Sequence, residues 1–350
     1  MIVTELTQQK IDERIQQRIS LATKNDTEYR FVKPFSVAYN GIIDALAEDG
    51  TRFRSGLGQI DMLTRGFGAK ELIYITGFSH SGKTQLVNTM ILNNPRKRIL
   101  FFSMDDPAEM ILMKLVCMQQ GYSAEYLEHQ IRDNALHAKA SLREAAHTIF
   151  EHLLVVDDSL SLTSMNQAVD EATHYWNGQP PQLVILDYLG LLLPCELTRQ
   201  NNEMTAKSQG IKGWIKNKPF PTIVVHQGTR SNARPGEPLT MLSMAYGGEQ
   251  EGTCILGVRR KRDNIELEQW ERDQHANTIT LHLIKNKRPP AKCSHPEGID
   301  FYMEAETGLI RALHNSDLPT YAEAKALDPT YTTTEQALAH VRQIEGVEWQ

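Results

Sequence analysis

The chain has 350 residues, of which 41% are apolar and 23% are charged, a composition typical of a globular protein with one large or two small domains. The formal net charge of −6 excludes coating of nucleic acid through bulk charge, and the four cysteines form no CxxC pair, which argues against a zinc site or a disulfide framework. No apolar run reaches 18 residues and the N-terminus lacks a signal-peptide pattern, so we expect a cytoplasmic protein without a membrane partner.

The first 50 residues predict an N-terminal helical arm. Over residues 5–22, Leu6, Ile11, Ile15 and Ile19 recur at helical spacing on a very polar background. Because so narrow an apolar stripe supports a core only weakly, we expect this helix to dock on another surface. A second helix is predicted over residues 36–50.

Residues 51–313 predict one α/β domain. From residue 71, short apolar strands alternate with helical stretches, which is typical of a mainly parallel sheet covered by helices on both faces. After Gly252 the connections shorten, so an antiparallel extension is expected at the C-terminal end. Residues 314–350 predict an acidic tail with one short helix. The predicted strands are LIYITG, ILFFSM, LLVVDD, LVILDY, TIVVHQ, TCILGV and TITLHLI.

The segment GFSHSGKT matches G-x-x-x-x-G-K-[ST] and stands directly between a predicted strand and a predicted helix. Its two glycines let the backbone curl so that successive N–H groups point at phosphate oxygens. Lys83 is expected to reach the β- and γ-phosphates of ATP, and the Thr84 hydroxyl to bind Mg²⁺. The predicted nucleotide-binding residues are Gly77, Ser79, His80, Ser81, Gly82, Lys83, Thr84 and Gln85.

A second acidic ligand for Mg²⁺ has two candidate positions, because two apolar strands end in aspartate. LLVVDD ends in Asp157 and Asp158, and the sequence that follows is typical of a helix start, which favours a capping role there. Asp187, at the end of LVILD, has no helix start after it. We therefore predict that Thr84 and Asp187 bind the metal.

The strand ILFFSM ends in two further carboxylates, Asp105 and Asp106. The carboxyl ends of parallel strands meet at one edge of a sheet, so these acids are expected near the phosphates. Asp106 precedes a proline at a predicted first helical position and is interpreted as the helix cap. Asp105 is then predicted to be the base that orients the attacking water.

The motifs, in this order, resemble the motor domain of the DnaB-like replicative helicases over about residues 51–313. The resemblance implies a RecA-like P-loop ATPase that assembles as a hexameric ring and moves on single-stranded DNA, with a primase or loader as a further partner. Asp105 stands where the family usually has glutamate, and its side chain is one methylene shorter. The quoted segments are SGLGQID, GFSHSGKT, ILFFSMDD, LVILDY, IVVHQGTR and IKNKRPP.

The resemblance also implies roles for residues after the fourth strand. Gln227 stands at the γ-phosphate sensor position, and the loop that follows it, with Arg230 and Arg234, is expected to track the DNA backbone.

The segment IKNKRPP has two lysines, Lys285 and Lys287, where the family has a lysine and an arginine that reach the ATP site of the neighbouring subunit. Arg288 is a candidate for the missing arginine's role.

Only about 50 residues precede this motor, whereas bacterial family members carry a larger helical domain that binds primase. We therefore expect a compact helicase of the kind a phage encodes. Two alternatives share the fold: a RecA- or RadA-like recombinase, which would exchange rather than unwind strands, and a KaiC-like regulatory ATPase, whose hydrolysis would ignore DNA.

Overall fold

The computed structural model describes Glu13 and residues 52–193, 203–227, 234–241, 250–288 and 292–314. The chain divides into two units, Met1–Thr51 and Arg52–Gln350, and the strands and helices given below belong to the second. The predicted helices at 5–22 and 36–50, the tail helix after residue 314 and Arg230 lie outside the described residues.

One sheet contains the nine strands of the described residues. The strands are β1 (Leu72–Gly77), β2 (Ile99–Ser103), β3 (Leu153–Val156), β4 (Leu183–Asp187), β5 (Thr222–Gln227), β6 (Cys254–Arg259), β7 (Thr278–Asn286), β8 (Ile299–Met303) and β9 (Ile310–Ala312). Their order across the sheet is β3-β2-β4-β5-β1-β6-β7-β8-β9. The seven strands predicted from the sequence all form, and β8 and β9 are additional.

The first six strands of this order run parallel, and β7, β8 and β9 are antiparallel to their neighbours. The predicted antiparallel extension is therefore confirmed and begins at β7. β1, β2, β4 and β6 are buried along their whole length, which explains why they are continuous apolar runs rather than alternating ones.

Helices lie on both faces of the sheet, as predicted. They are α1 (Gly58–Thr64), α2 (Lys83–Leu92), α3 (Ala108–Gln120), α4 (Ala124–Arg132), α5 (Leu136–Glu144), α6 (Leu162–Tyr175), α7 (Glu203–Ile215) and α8 (Gln269–Gln274), with a π-helical turn at Ala145–Ile149 and 3₁₀ turns at Leu189–Leu191 and Lys261–Asp263. None of the helices in these described stretches is long and apolar enough to cross a membrane.

Successive side chains of β1 face opposite sides of the sheet and divide the core in two. Ile73 and Ile75 pack on one face in a cluster with α1 to α5. Leu72 and Tyr74 pack on the other face in a cluster with α6 and α7. Both layers hold β1 in place, and β1 leads directly into the segment GFSHSGKT.

The acidic pair after β3 does not cap the helix that follows it, so that prediction is wrong. α6 begins at Leu162, and its cap is Ser161, whose side chain accepts from the backbone N–H of Ser164. The Asp158 side chain accepts from the N–H of Ser159 instead, at 2.7 Å. Ser161 lies five residues past the end of β3, which leaves room for a turn before α6, and the aspartates directly after the strand do not.

Candidate active site

The loop between β1 and α2 fits only with glycine at its two ends. Gly82 has a φ of 97°, and a Cβ there would lie 2.7 Å from Cδ1 of Ile279. A Cβ on Gly77 would lie 2.4 Å from the carbonyl oxygen of Val258. The absence of side chains therefore lets the loop curl tightly, the shape in which backbone N–H groups converge on an anion.

Lys83, the first residue of α2, carries a buried ammonium group. It donates to the carbonyl oxygen of Phe78 across the loop, at 2.7 Å. Burial lowers the pKa of Lys83 to about 8, and the nearby charge of Asp187 only partly opposes that effect. Because this cation has lost most of its hydration, an anion placed beside it is bound strongly.

Thr84, the second residue of α2, contacts Asp187, the last residue of β4. The Thr84 hydroxyl donates to Oδ2 of Asp187 at 3.1 Å, although the two residues are far apart in the chain. Burial raises the pKa of Asp187 to about 6, while the Thr84 hydrogen bond and Lys83 lower it and the charges of Asp105 and Asp106 raise it. A buried carboxylate with acidic neighbours is an environment that favours a bound cation.

The end of β2 lies beside Asp187. Ser103 pairs with Asp187 in the parallel register, and the N–H of Met104 donates to the Asp187 carbonyl oxygen at 2.9 Å. Asp105 follows with an exposed side chain. Of the two acids after β2, Asp105 raises the pKa of Asp187 more than Asp106 does, so its charge acts more strongly on the site.

Asp106 is not the cap of α3, which corrects the sequence interpretation. Its carboxylate forms an ion pair, at 2.6 Å, with Lys114, which lies in α3. Pro107 occupies the cap position and offers no side-chain acceptor. The N–H of Ala108 instead donates to Oδ2 of Asp157, at 2.9 Å, so the cap comes from the end of the neighbouring strand β3.

Gln227 is the last residue of β5 and stands directly opposite Gly77 in the register of β1 and β5. Its side chain is exposed at the start of the phosphate-type loop. Within the loop, Ser79 and His80 are exposed and Gln85 is half-buried. Gln227 is thus the predicted sensor residue that the fold brings to this edge.

Lys285 and Lys287 lie at the end of the parallel strands that is opposite to the loop, where β6 begins. In the register of β6 and β7, Lys285 pairs with Ile255, near the start of β6. Both ammonium groups donate to the carbonyl oxygen of Gln250, at 3.4 and 3.0 Å, and Lys287 is exposed. Within one subunit, the two lysines are therefore not brought to the loop.

Arg288 does not fit the role predicted for it, because it is used inside its own subunit. Only 9% of the residue is exposed. The guanidinium forms an ion pair with Glu71 at 2.7 Å and donates to the carbonyl oxygens of Thr64, the last residue of α1, and of Gly66, two residues later. A cation at a helix C-terminus satisfies carbonyls that have no partner within the helix.

Arg234, an exposed residue after β5, also has a partner within its own subunit. Arg234 forms an ion pair with Glu266 at 2.5 Å, and its backbone N–H donates to Glu237. Both charged groups of the pair are more than half exposed, so a stronger anionic ligand can compete for the guanidinium.

The described residues fit a magnesium–nucleotide complex. The glycine-lined loop leaves space that a side chain would fill, and Lys83 is a desolvated cation beside it. Among the described residues, the buried Ser81 hydroxyl has no hydrogen-bond partner, and it lies in the same loop. Thr84 and Asp187 supply two oxygen ligands, which suits Mg²⁺ because that ion usually keeps several waters.

A family model described as the DnaB-like helicase C-terminal domain matches residues 53–288. The chain belongs to this family. The family resemblance inferred from the motifs is therefore confirmed, and the matched residues include the glycine-lined loop, Asp105, Asp187, Gln227, Lys285 and Lys287.

Two curated relatives are similar to this chain at nearly equal sequence identity. The replicative DNA helicase DnaB of Treponema pallidum is 26% identical over 256 residues, which is 69% of this chain and 58% of that protein. The replicative DNA helicase DnaB of Mycoplasma genitalium is 28% identical over 249 residues, which is 67% of this chain and 52% of that protein. The chain thus spans just over half the length of these relatives.

A solved structure of a DnaB-like replicative helicase, described together with its interactions with primase, has the same fold. The TM-score is 0.65 at 16% sequence identity, and the match covers 89% of this chain and 76% of that one. This likeness confirms the predicted α/β fold with a mainly parallel sheet and helices on both faces.

Two residues support the end of β2 in this DnaB-like domain through contacts that the sequence did not predict. Lys114 lies eight residues after Asp106, and no spacing rule predicts that the two meet. Asp157 was interpreted as a cap, but of the wrong helix. Only the adjacency of β2 and β3 could have indicated that it caps α3.

Proposed function

We propose that the protein is an ATP-dependent DNA helicase of replication that acts as a ring on single-stranded DNA. One observation carries the proposal: in a chain of the DnaB-like family, Thr84 bonds to Asp187 beside the glycine-lined loop, with Asp105 close by. This is the arrangement needed to hold a nucleotide and to activate water against it.

Lys83 and the backbone N–H groups of the loop would bind the phosphates of ATP. Thr84 and Asp187 would hold Mg²⁺, which supplies charge neutralisation at the β- and γ-phosphate oxygens when bound. Asp187 must be ionised for this task, and its raised pKa of about 6 still leaves it ionised at neutral pH.

Asp105 would accept a hydrogen bond from the attacking water and take its proton. Gln227 would donate from its amide to the terminal phosphate and lose that bond after hydrolysis. Because aspartate is one methylene shorter than glutamate, water held by Asp105 depends on how closely the end of β2 approaches the nucleotide.

The position of Lys285 and Lys287 supports a site shared between subunits. They lie at the end of the strands away from their own loop, so we propose that in a ring they act on the nucleotide of a neighbouring subunit. There the two cations would stabilise charge in the transition state. Lysine lacks the two-pronged contact of arginine, so we expect a weaker effect than an arginine would give.

Single-stranded DNA is proposed to bind through Arg230 and Arg234. For Arg234, DNA would replace the exposed pairing with Glu266. A primase or a loader is proposed as a further partner, since the similar solved helicase is described with primase.

The first test is ATP hydrolysis with and without single-stranded DNA, for the wild type and Asp105→Asn, together with unwinding of a forked duplex. We expect DNA to raise the rate several-fold, the variant to lose activity, and the wild type to unwind. Hydrolysis that ignores DNA would instead identify a regulatory ATPase, and strand exchange without unwinding would identify a recombinase.

A second test asks whether the site is shared. Asp105→Asn and Lys287→Met are each expected to be inactive alone. Mixed in one ring, they form some interfaces that join the intact loop of one subunit to the intact lysines of its neighbour, about one in four for equal random mixing. Recovered activity supports the shared site, and a mixture as inactive as its components rejects it.

A further inference from the structure

The short turn that carries Asp105, between β2 and α3, is fixed on both sides of that residue. Before it, the N–H of Met104 bonds to the carbonyl oxygen of Asp187. After it, the Ser103 hydroxyl donates to the carbonyl oxygen of Asp106 at 2.6 Å, which closes the turn on itself. Asp105 is therefore an exposed carboxylate displayed from a closed turn.

Lys114 anchors the far side of the turn. Its ammonium group reaches back from the second turn of α3 to Oδ2 of Asp106, at 2.6 Å. About a third of each side chain is exposed, and exposed ion pairs contribute little to global stability. The pair thus orients Asp106, the residue next to Asp105, without being needed for folding.

Asp157 anchors the start of α3. Pro107 at the cap position has no side-chain acceptor, and Oδ2 of Asp157 accepts from the N–H of Ala108. Asp157 follows β3, the strand paired with β2 on the side away from β4. The carboxylate also suits the positive end of a 13-residue helix.

We infer that Lys114 and Asp157 are positioning residues for Asp105, which hold the turn so that a short carboxylate reaches the water. The inference rests on the proposed function, in which Asp105 is the base. A displacement of about 1 Å in such a group can lower the rate on the order of 100-fold. A shorter acid leaves less reach to absorb any movement of the turn, so the two anchors matter more here than they would for glutamate.

The test is the steady-state kinetics of ATP hydrolysis without DNA for Lys114→Met and Asp157→Ala, with urea unfolding of each protein. We expect kcat to fall about 10-fold while KM for ATP changes less than about 2-fold, because positioning acts on the chemical step. Lys114→Arg and Asp157→Asn keep the ion pair or the acceptor oxygen, and we expect them to retain most of kcat. Glu109→Gln, an exposed carboxylate in the first turn of α3, is the matched control.

Unchanged kcat in Lys114→Met and Asp157→Ala would overturn the inference, and so would a loss of equal size in Glu109→Gln. A parallel loss of kcat, of nucleotide affinity and of stability in both variants would also overturn it, because that pattern indicates general damage. The proposed motor is judged separately, by the response of the wild type to DNA. If that response is missing while Lys114→Met still loses kcat selectively, the motor fails and the positioning role stands.

Discussion

Replacing Asp187 with asparagine should stabilise the metal-free protein while it abolishes magnesium-dependent hydrolysis. Asp187 is 7% exposed, and burial is the main reason that the pKa of its carboxyl group rises from 3.8 to about 6. A shift of roughly 2 units corresponds to roughly 3 kcal/mol at 1.36 kcal/mol per unit. Asparagine keeps an oxygen that accepts from Thr84 but carries no charge. Its amide also loses hydration on burial, so we expect a gain of about 1–3 kcal/mol in the free energy of unfolding.

The pH dependence gives this prediction its sign. Between about pH 4 and pH 6 the folded protein binds more protons at Asp187 than the unfolded chain does, so ionisation of this group weakens the wild type as pH rises through that window. Above this pH window the buried charge of Asp187 destabilises the wild type by its full amount, and below the window this destabilisation vanishes. The difference between variant and wild type should therefore be largest near pH 7.5 and about half as large near pH 5.

The assay is urea unfolding in EDTA at both pH values. Asp61→Asn is a contrasting control, because Asp61 accepts from the N–H and hydroxyl of Ser55 and from the N–H of Gly56, at 2.8–2.9 Å. Asparagine offers one acceptor oxygen in place of two, so at least one of these contacts is lost and the protein should become less stable. With magnesium and ATP present, the order of Asp187→Asn and wild type should reverse, since only the wild type gains from binding. A variant less stable than wild type in EDTA, or a gap independent of pH, would refute the reasoning.

Two further outcomes are expected. Arg288→Met should cost about 1–3 kcal/mol in urea unfolding, because Glu71 keeps only its more exposed ion pair with Arg52 and the Thr64 carbonyl at the end of α1 loses its buried donor. Lys287→Met, one residue away and exposed, should change stability by less than about 0.5 kcal/mol yet remove most ATP hydrolysis; equal stability losses would contradict this contrast. In phosphate-release assays, the rate should fall as pH drops through about 6, where Asp187 takes up a proton. More magnesium should move this acid limb to lower pH, and a limb that does not respond to magnesium would assign it to another group.

The strands and the phosphate-type loop could be predicted because their information is local. Continuous apolar runs indicate strands buried on both faces, and the G-x-x-x-x-G-K-[ST] spacing describes a loop whose shape depends on its own backbone. The edge at which Asp105, Asp187 and Gln227 gather also followed, since the carboxyl ends of parallel strands share one side of the sheet. These are consequences of residue order alone.

Only the tertiary structure decided the contacts of polar residues that look alike in the sequence. Lys287 and Arg288 are adjacent basic residues, and no local pattern separates them. One lies in solvent and the other is buried against the end of α1, more than 200 residues earlier in the chain. Asp157 and Asp106 both stand before helices, yet Asp157 caps the helix that Asp106 precedes. A buried cation or a helix cap takes whichever partner the packed strands bring within about 3 Å, and sequence distance does not limit that choice.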